Sequence, residues 1–268
     1  MISPGSVIPV QQKIAPANPS QDSRTADIIA RMLPALILAA LLTAPDEQAT
    51  RVADEMVEAM GGHENWEQAR FIRFTNVRGN RKPRFTWDRW LGRLRIESRN
   101  EAGIPYVILM NLKTRQGKVY VEGLALRGKE LSDYLNRGAR MWKGATYWFL
   151  MPFKWRDPGV NLSYDGEEKI DGVVYDKVHL TFDDVERSPG DEYWAYVNRD
   201  THLMERWKFK LESGFEGDYR WTRWHRYGGI RVATERIGND ERIRFEDIFV
   251  GASMPDELFT SPEPVTFP

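Results

Sequence analysis

From Phe71 to Val250 the chain is a succession of short segments rich in Val, Ile, Tyr, Phe and Trp, parted by Gly, Pro, Asn and Asp. Segments of that length and composition, with turn residues between them, read as consecutive antiparallel strands. The pattern predicts strands at 71–78, 84–90, 93–99, 106–112 and 118–122, and after an interruption at 161–169, 173–182, 193–198, 204–212, 219–227, 231–237 and 243–250. No helical stretch separates neighbouring strands, which excludes a doubly wound parallel sheet. Side chains alternate along them: Trp207, Phe209 and Leu211 share one face while Arg206, Lys208 and Lys210 share the other, and Ile243, Phe245 and Phe249 oppose Arg242, Arg244 and Glu246. One face meets water and the other is apolar. A long antiparallel sheet buries such a face by curling around it, so the expected fold class is mainly β (α+β), a curled antiparallel sheet or half-barrel.

Two stretches depart from this pattern. Ala49, Val52, Ala53, Met56, Val57 and Met60 recur at helical spacing, predicting an N-terminal amphipathic helix that Gly61 and Gly62 end, followed by a short helical turn over 63–70 carrying Trp66 and Ala69. The second is an insertion at about 129–159. Glu130, Leu131, Tyr134, Leu135, Ala139, Met141 and Trp142 read as a helix, the nonapeptide Tyr147-Trp148-Phe149-Leu150-Met151-Pro152-Phe153-Lys154-Trp155 follows, and Arg156-Asp157-Pro158-Gly159 is a turn. Pro152 makes the nonapeptide a poor strand interior and a poor helix interior, so it is expected to cross or plug a core as a lid. Replacing Trp148 or Phe153 of such a lid by alanine would weaken ligand binding and leave stability nearly intact.

Residues 1–31 read as a disordered extension and 32–45 as the hydrophobic region of a signal peptide, leaving 46–268 as a single domain. The apolar run Leu33 to Ala44 is shorter than the roughly 20 helical residues needed to span a membrane, so the mature protein is expected to lack a transmembrane segment and to be periplasmic or secreted. A buried helix of a cytosolic domain is the alternative for that run. The chain has no cysteine, which excludes a disulfide framework and a lipid-modified cysteine. Its 38 Lys and Arg balance 39 Asp and Glu, and the two signs are interspersed along the strands. That is the pattern of a solvated sheet face, and no nucleic-acid partner is expected.

Signatures of catalysis are sparse. His63, His179, His202 and His225 lie apart without metal-binding spacing, so neither a metal nor another cofactor is expected, and neither a Gly-x-Ser-x-Gly elbow nor a Ser-x-x-Lys motif occurs. Asp183, Asp184, Asp191 and Glu192 flank one loop and are the carboxylates a glycan or lipid hydrolase would use; solvated acids in a turn are the plainer reading. Aromatic residues are the remaining signal. Trp142, Tyr147, Trp148, Phe149, Met151, Phe153 and Trp155 of the insertion, with Trp87, Trp194 and Trp221 of the strands, are the candidate contacts for a hydrophobic ligand; plain core is the favoured reading for the aromatics of the strands and is evenly matched for those of the insertion.

The apolar leader, the first helix ending Glu58-Ala59-Met60-Gly61-Gly62, the Trp66 turn and the curled sheet together resemble the bacterial periplasmic lipoprotein-carrier superfamily typified by LolA and LolB. Met151-Pro152-Phe153-Lys154-Trp155-Arg156-Asp157-Pro158-Gly159 and Tyr193-Trp194-Ala195-Tyr196-Val197 look like an uncharacterised branch of it, over about Asp46 to Pro264. The resemblance implies an incomplete barrel closed by helices, an apolar cavity that takes a hydrophobic small molecule or acyl chain, and a lid at the place of Trp142 to Trp155. It also implies a regulatory arginine in the cavity, which these motifs do not place, and envelope proteins are a further candidate class of partner. The chain departs from the family in lacking the receptor type's lipid-anchoring cysteine and in having more strands than the minimal fold. The resulting expectation is a non-enzymatic carrier or sensor of a hydrophobic ligand; an envelope hydrolase and a ligand-free structural protein are the alternatives.

Overall fold

The computed structural model describes residues 46–183, 190–238 and 240–266, so the expectations for 1–31 and 32–45 and the candidate carboxylate Asp184 lie outside the described residues. Helix α1 (Glu47–Ala59) starts at Asp46, whose carboxylate accepts from the backbone N–H groups of Gln48 and Ala49 at 2.9 and 3.0 Å. Its other oxygen accepts from the Tyr164 N–H at 2.8 Å, which ties the helix to the sheet. Those backbone bonds, the one from Tyr164 foremost, hold the Asp46 carboxyl below its usual pKa. The apolar stripe predicted for this helix is the face it buries. Helix α2 (Gly62–Gln68) follows at once. Gly61 makes the join at φ +118°, and a side chain there would meet the Gly229 carbonyl oxygen at 2.3 Å.

Thirteen strands then build one sheet. The first six are β1 (Phe71–Arg78), β2 (Arg84–Asp88), β3 (Arg93–Arg99), β4 (Pro105–Asn111), β5 (Gly117–Val121) and β6 (Leu124–Ala125). Helix α3 (Gly128–Leu150) and a 3-10 turn (Met151–Lys154) lead to β7 (Val160–Ile170), β8 (Val173–Phe182), β9 (Glu192–Asn198), β10 (Met204–Lys210), β11 (Glu216–Tyr227), β12 (Ile230–Ile237) and β13 (Arg242–Gly251); a short α4 (Glu257–Thr260) closes the described chain. The spatial order is β6-β5-β4-β3-β2-β1-β13-β12-β11-β10-β9-β8-β7, with every adjacent pair antiparallel. Two meanders thus meet along β1 and β13, and the sheet is curled but unclosed, with β6 and β7 as its edges. Joining one edge to the other is the task of α3.

The twelve predicted strands correspond to β1–β5 and β7–β13. The two-residue β6 carries too little pattern to be read. β2 stops at Asp88, two residues short of the predicted end, because the fully buried Asp88 carboxylate turns the chain. It accepts from the N–H groups of Trp90 and Leu91, both at 3.2 Å, and takes guanidinium bonds from Arg70 and Arg93 at 2.9–3.1 Å. Burial alone would raise the Asp88 pKa, but the bonds from Arg70, Leu91 and Arg93 outweigh it and hold the carboxyl below its usual value. Folding therefore favours the ionised form. Its contribution is intact above the unfolded-chain pKa of about 4 and is lost as pH falls through the lower folded value. Asp88→Ala is expected to cost about 3 kcal/mol in urea unfolding at neutral pH, and less at pH 3.

The insertion differs from expectation in one respect. Tyr147 to Leu150 are helical, so α3 runs eight residues beyond Trp142. A proline breaks a helix by lacking a donor and by crowding the preceding turn, and Pro152 does so from inside the 3-10 turn, where its missing N–H is not needed. Tyr147, Trp148 and Phe149 are carried on the last helical turn, Phe153 on that 3-10 turn and Trp155 just after it.

Candidate functional site

Helix α3 lies on the apolar inner face of the sheet. Near its middle it approaches closely through small residues: a Cβ on Gly138 would sit 2.9 Å from Ile108 Cδ1, and Ala139 is buried beside it. Toward its C-terminus the side chains become large. Phe149, 1% exposed, stands between Phe74 and Phe245 with ring centroids 4.5 and 4.7 Å away. Trp148 packs on Tyr219 at 4.7 Å, and the Tyr147 hydroxyl accepts from Trp207 Nε1 at 3.1 Å. Trp142 meets Trp87 edge to face at 5.0 Å. In the 3-10 turn and just after it, Phe153 stacks on Trp66 at 4.4 Å, and the Trp155 indole donates to Met151 Sδ at 3.0 Å.

Nine of the ten candidate residues thus gather at the inner face, with Trp221 buried under the helix end. Trp194 does not. Strand alternation sends Tyr193, Ala195 and Val197 inward, and Trp194 stands on the outer face, stacked on His179 at 5.1 Å. It is withdrawn as a contact for a ligand on the inner face.

The expected open hollow is filled by the helix itself. Phe149, Leu150, Met151, Phe153 and Trp155 are buried members of one core cluster with the sheet. Phe153→Ala is accordingly expected to lower stability by about 3 kcal/mol, contrary to the expectation that it would leave stability intact; half-buried Trp148 should cost less. Surface grooves of about 610 and 540 Å³ lie elsewhere, one along α1 beside Asp54, Glu58 and His202 and one at Arg73, Arg84 and Asp247, and neither is lined by α3.

A residue that sequence reasoning missed holds the helix end. Arg236 of β12 is fully buried on the inner face. Its Nε donates to the Trp148 carbonyl at 3.0 Å and Nη2 to the Phe149 carbonyl at 3.4 Å, both in the last turn of α3, where carbonyls lack intrahelical partners. Nη1 donates to Ala233 O at 2.8 Å, and the guanidinium lies over the Trp221 ring at 3.4 Å. Burial drives its pKa well down. The carbonyls and the ring are what compensate the cation there. Alternation could have found it, since Ile230, Val232 and Arg236 lie two or four residues apart on one face.

The candidate carboxylates have local partners. Asp183 accepts from Asn161 at 2.8 Å, Asp191 from the Glu212 N–H at 2.9 Å, and Glu192 lies 3.5 Å from His179.

No family model matches the chain, and no curated protein matches it. Among solved structures it is similar to a LolA superfamily protein from Nitrosomonas europaea, at 15% identity over 80% of this chain and 97% of that one, with a TM-score of 0.47. It is also similar to a DUF1329 family protein from Desulfovibrio piger (12% identity, 80% and 99% covered, TM-score 0.44) and to an outer membrane lipoprotein-sorting protein domain from Vibrio parahaemolyticus (8%, 80% and 96%, 0.44). These likenesses concern the fold. The chemistry of the site has to be read from this chain's own side chains.

Proposed function

We propose that the protein is an exported, non-enzymatic carrier or sensor that binds a lipid or other hydrophobic ligand between the inner face of its sheet and α3. The observation that carries this reading is the manner in which α3 is held. Its aromatic end covers an apolar sheet face that has no closing strands, and a single buried arginine bonds its last-turn carbonyls. Withdrawal of that end would uncover Phe74, Tyr219, Trp221 and Phe245, a surface suited to an acyl chain. Each methylene buried there would contribute about 0.8 kcal/mol, so a chain of a dozen carbons can offset the displaced helix contacts.

Export is supported by the apolar run Leu33 to Ala44. No helix among the described residues is long and apolar enough to cross a membrane. Titration with a fluorescent fatty-acyl probe tests the reading: saturable binding, competed by unlabelled fatty acid and accompanied by changed tryptophan emission, is expected. Absence of saturable binding, together with absence of lipid in solvent extracts of the native protein, would leave α3 as permanent core.

A further inference from the structure

The indole Nε1 groups of Trp87, Trp142, Trp221 and Trp224 are buried without a hydrogen-bond acceptor among the described residues. Two of them sit together. Trp87 and Trp142 cross at 74° with ring centroids 5.0 Å apart. In an edge-to-face pair one indole can aim its N–H at the other's π face, but both cannot, so at least one donor is left with nothing to bond among the described residues.

The neighbourhood supplies a positive charge. The Arg89 guanidinium lies 3.7 Å over Trp66 and 6.0 Å from the centre of the Trp87 ring. Its Nη1 donates to the carbonyls of Trp66 and Ala69, the latter at 2.9 Å. Its side chain is 12% exposed, and the carboxylate of Glu67, 4.0 Å away, is turned to solvent. Phe153 stacks on the same Trp66, so this corner adjoins the chain just beyond α3. A buried donor without an acceptor is costly, and such groups are normally paired.

We propose that the corner formed by Trp87, Trp142 and Arg89 receives the polar end of the ligand, and that this end presents an acceptor oxygen at the head of an aliphatic chain, as a carboxylate or an ester carbonyl does. The proposal rests on the reading that the inner face takes a hydrophobic ligand, and it narrows the class: an amphiphile with an acceptor head is selected over one whose head is a bare cation. The tail lies along the inner face that the end of α3 covers, while the head exchanges water for indole N–H groups and the field of Arg89.

The test compares laurate with dodecyltrimethylammonium, which has a similar tail and a head without an acceptor. Calorimetric titration of the protein is expected to show laurate binding at least tenfold more tightly. Trp142→Phe and Trp87→Phe keep an aromatic ring and remove one N–H each, and each is expected to weaken laurate about fivefold or more and dodecyltrimethylammonium, whose head cannot accept that N–H, by less than about twofold. Independently of how well a variant folds, the indole region of a ¹⁵N spectrum of the unsubstituted protein provides a second readout, in which laurate should move one or both of these indole protons downfield. Equal affinity for the two amphiphiles, or indole signals indifferent to laurate, would overturn the acceptor-head proposal and leave the hydrophobic-ligand reading standing. Binding of neither amphiphile would overturn both.

Discussion

Arg236→Ala is expected to lower stability by about 3 kcal/mol and, at the same time, to tighten binding of an acyl probe tenfold or more. The stability loss follows from what the side chain holds. Removing it leaves a cavity under Trp221 and Phe245 and strips the donors from the last-turn carbonyls of Trp148 and Phe149, at roughly 1–3 kcal/mol for each buried group left bare. Release of a desolvated cation offsets part of that. The gain in affinity follows from the competition between helix and ligand for one surface. If the state with α3 withdrawn is rare, the apparent Kd is the intrinsic value divided by its population, so loosening the helix end raises that population and lowers Kd. Two further substitutions separate the effects. Arg236→Met keeps most of the volume without the donors, and should tighten binding with a smaller stability loss. Arg236→Lys keeps the charge but replaces the planar fork that reaches two carbonyls by a single ammonium, and should resemble Met in binding. Unchanged affinity in all three variants would mean that Arg236 does not hold the helix against the ligand.

Phe149→Ala should produce the largest purely structural effect. The ring is enclosed by Phe74 and Phe245 and has almost no solvent contact. Truncating it is expected to cost about 4 kcal/mol, or on the order of 10 °C in Tm for a domain of this size. Trp148→Ala at the half-buried neighbouring position should cost distinctly less. With a saturating acyl probe the Phe149→Ala deficit should shrink, because ligand binding stabilises the folded state by mass action and a hydrocarbon tail can occupy the vacated space. A deficit that stays the same with and without probe would place the probe elsewhere.

The strands were legible because their alternation is strong. Trp207 and Phe209 on one face and Arg206 and Lys208 on the other leave one register that keeps the charges wet. The order of the strands was not legible, since nothing local to Phe71–Arg78 or Arg242–Gly251 records that these distant segments are neighbours. The same limit applied to the insertion. Its aromatic content suggested a plug, but only the position of β6 and β7 at opposite edges shows why a helix has to cross the inner face. Trp194 was misplaced by counting aromatics without their parity, as its neighbours Tyr193 and Ala195 take the inward positions. Arg236 was missed for the converse reason. Arginines recur in β1, β2, β3, β10, β11 and β13, and the inward one in β12 is visible only when its parity with Ile230 and Val232 is followed.

The absence of cysteine from the chain makes one measurement especially direct. Ala145 of α3 is buried against the sheet, and Ala145→Cys adds one small group there and introduces the protein's sole thiol. Its rate of reaction with a maleimide reports whether the end of α3 has left the inner face. The rate should be slow in the free protein, at least tenfold faster with saturating laurate, and already fast without ligand when Arg236→Ala is combined with it. A thiol that stays equally protected, or becomes more protected, while laurate is bound would contradict a ligand that displaces this helix.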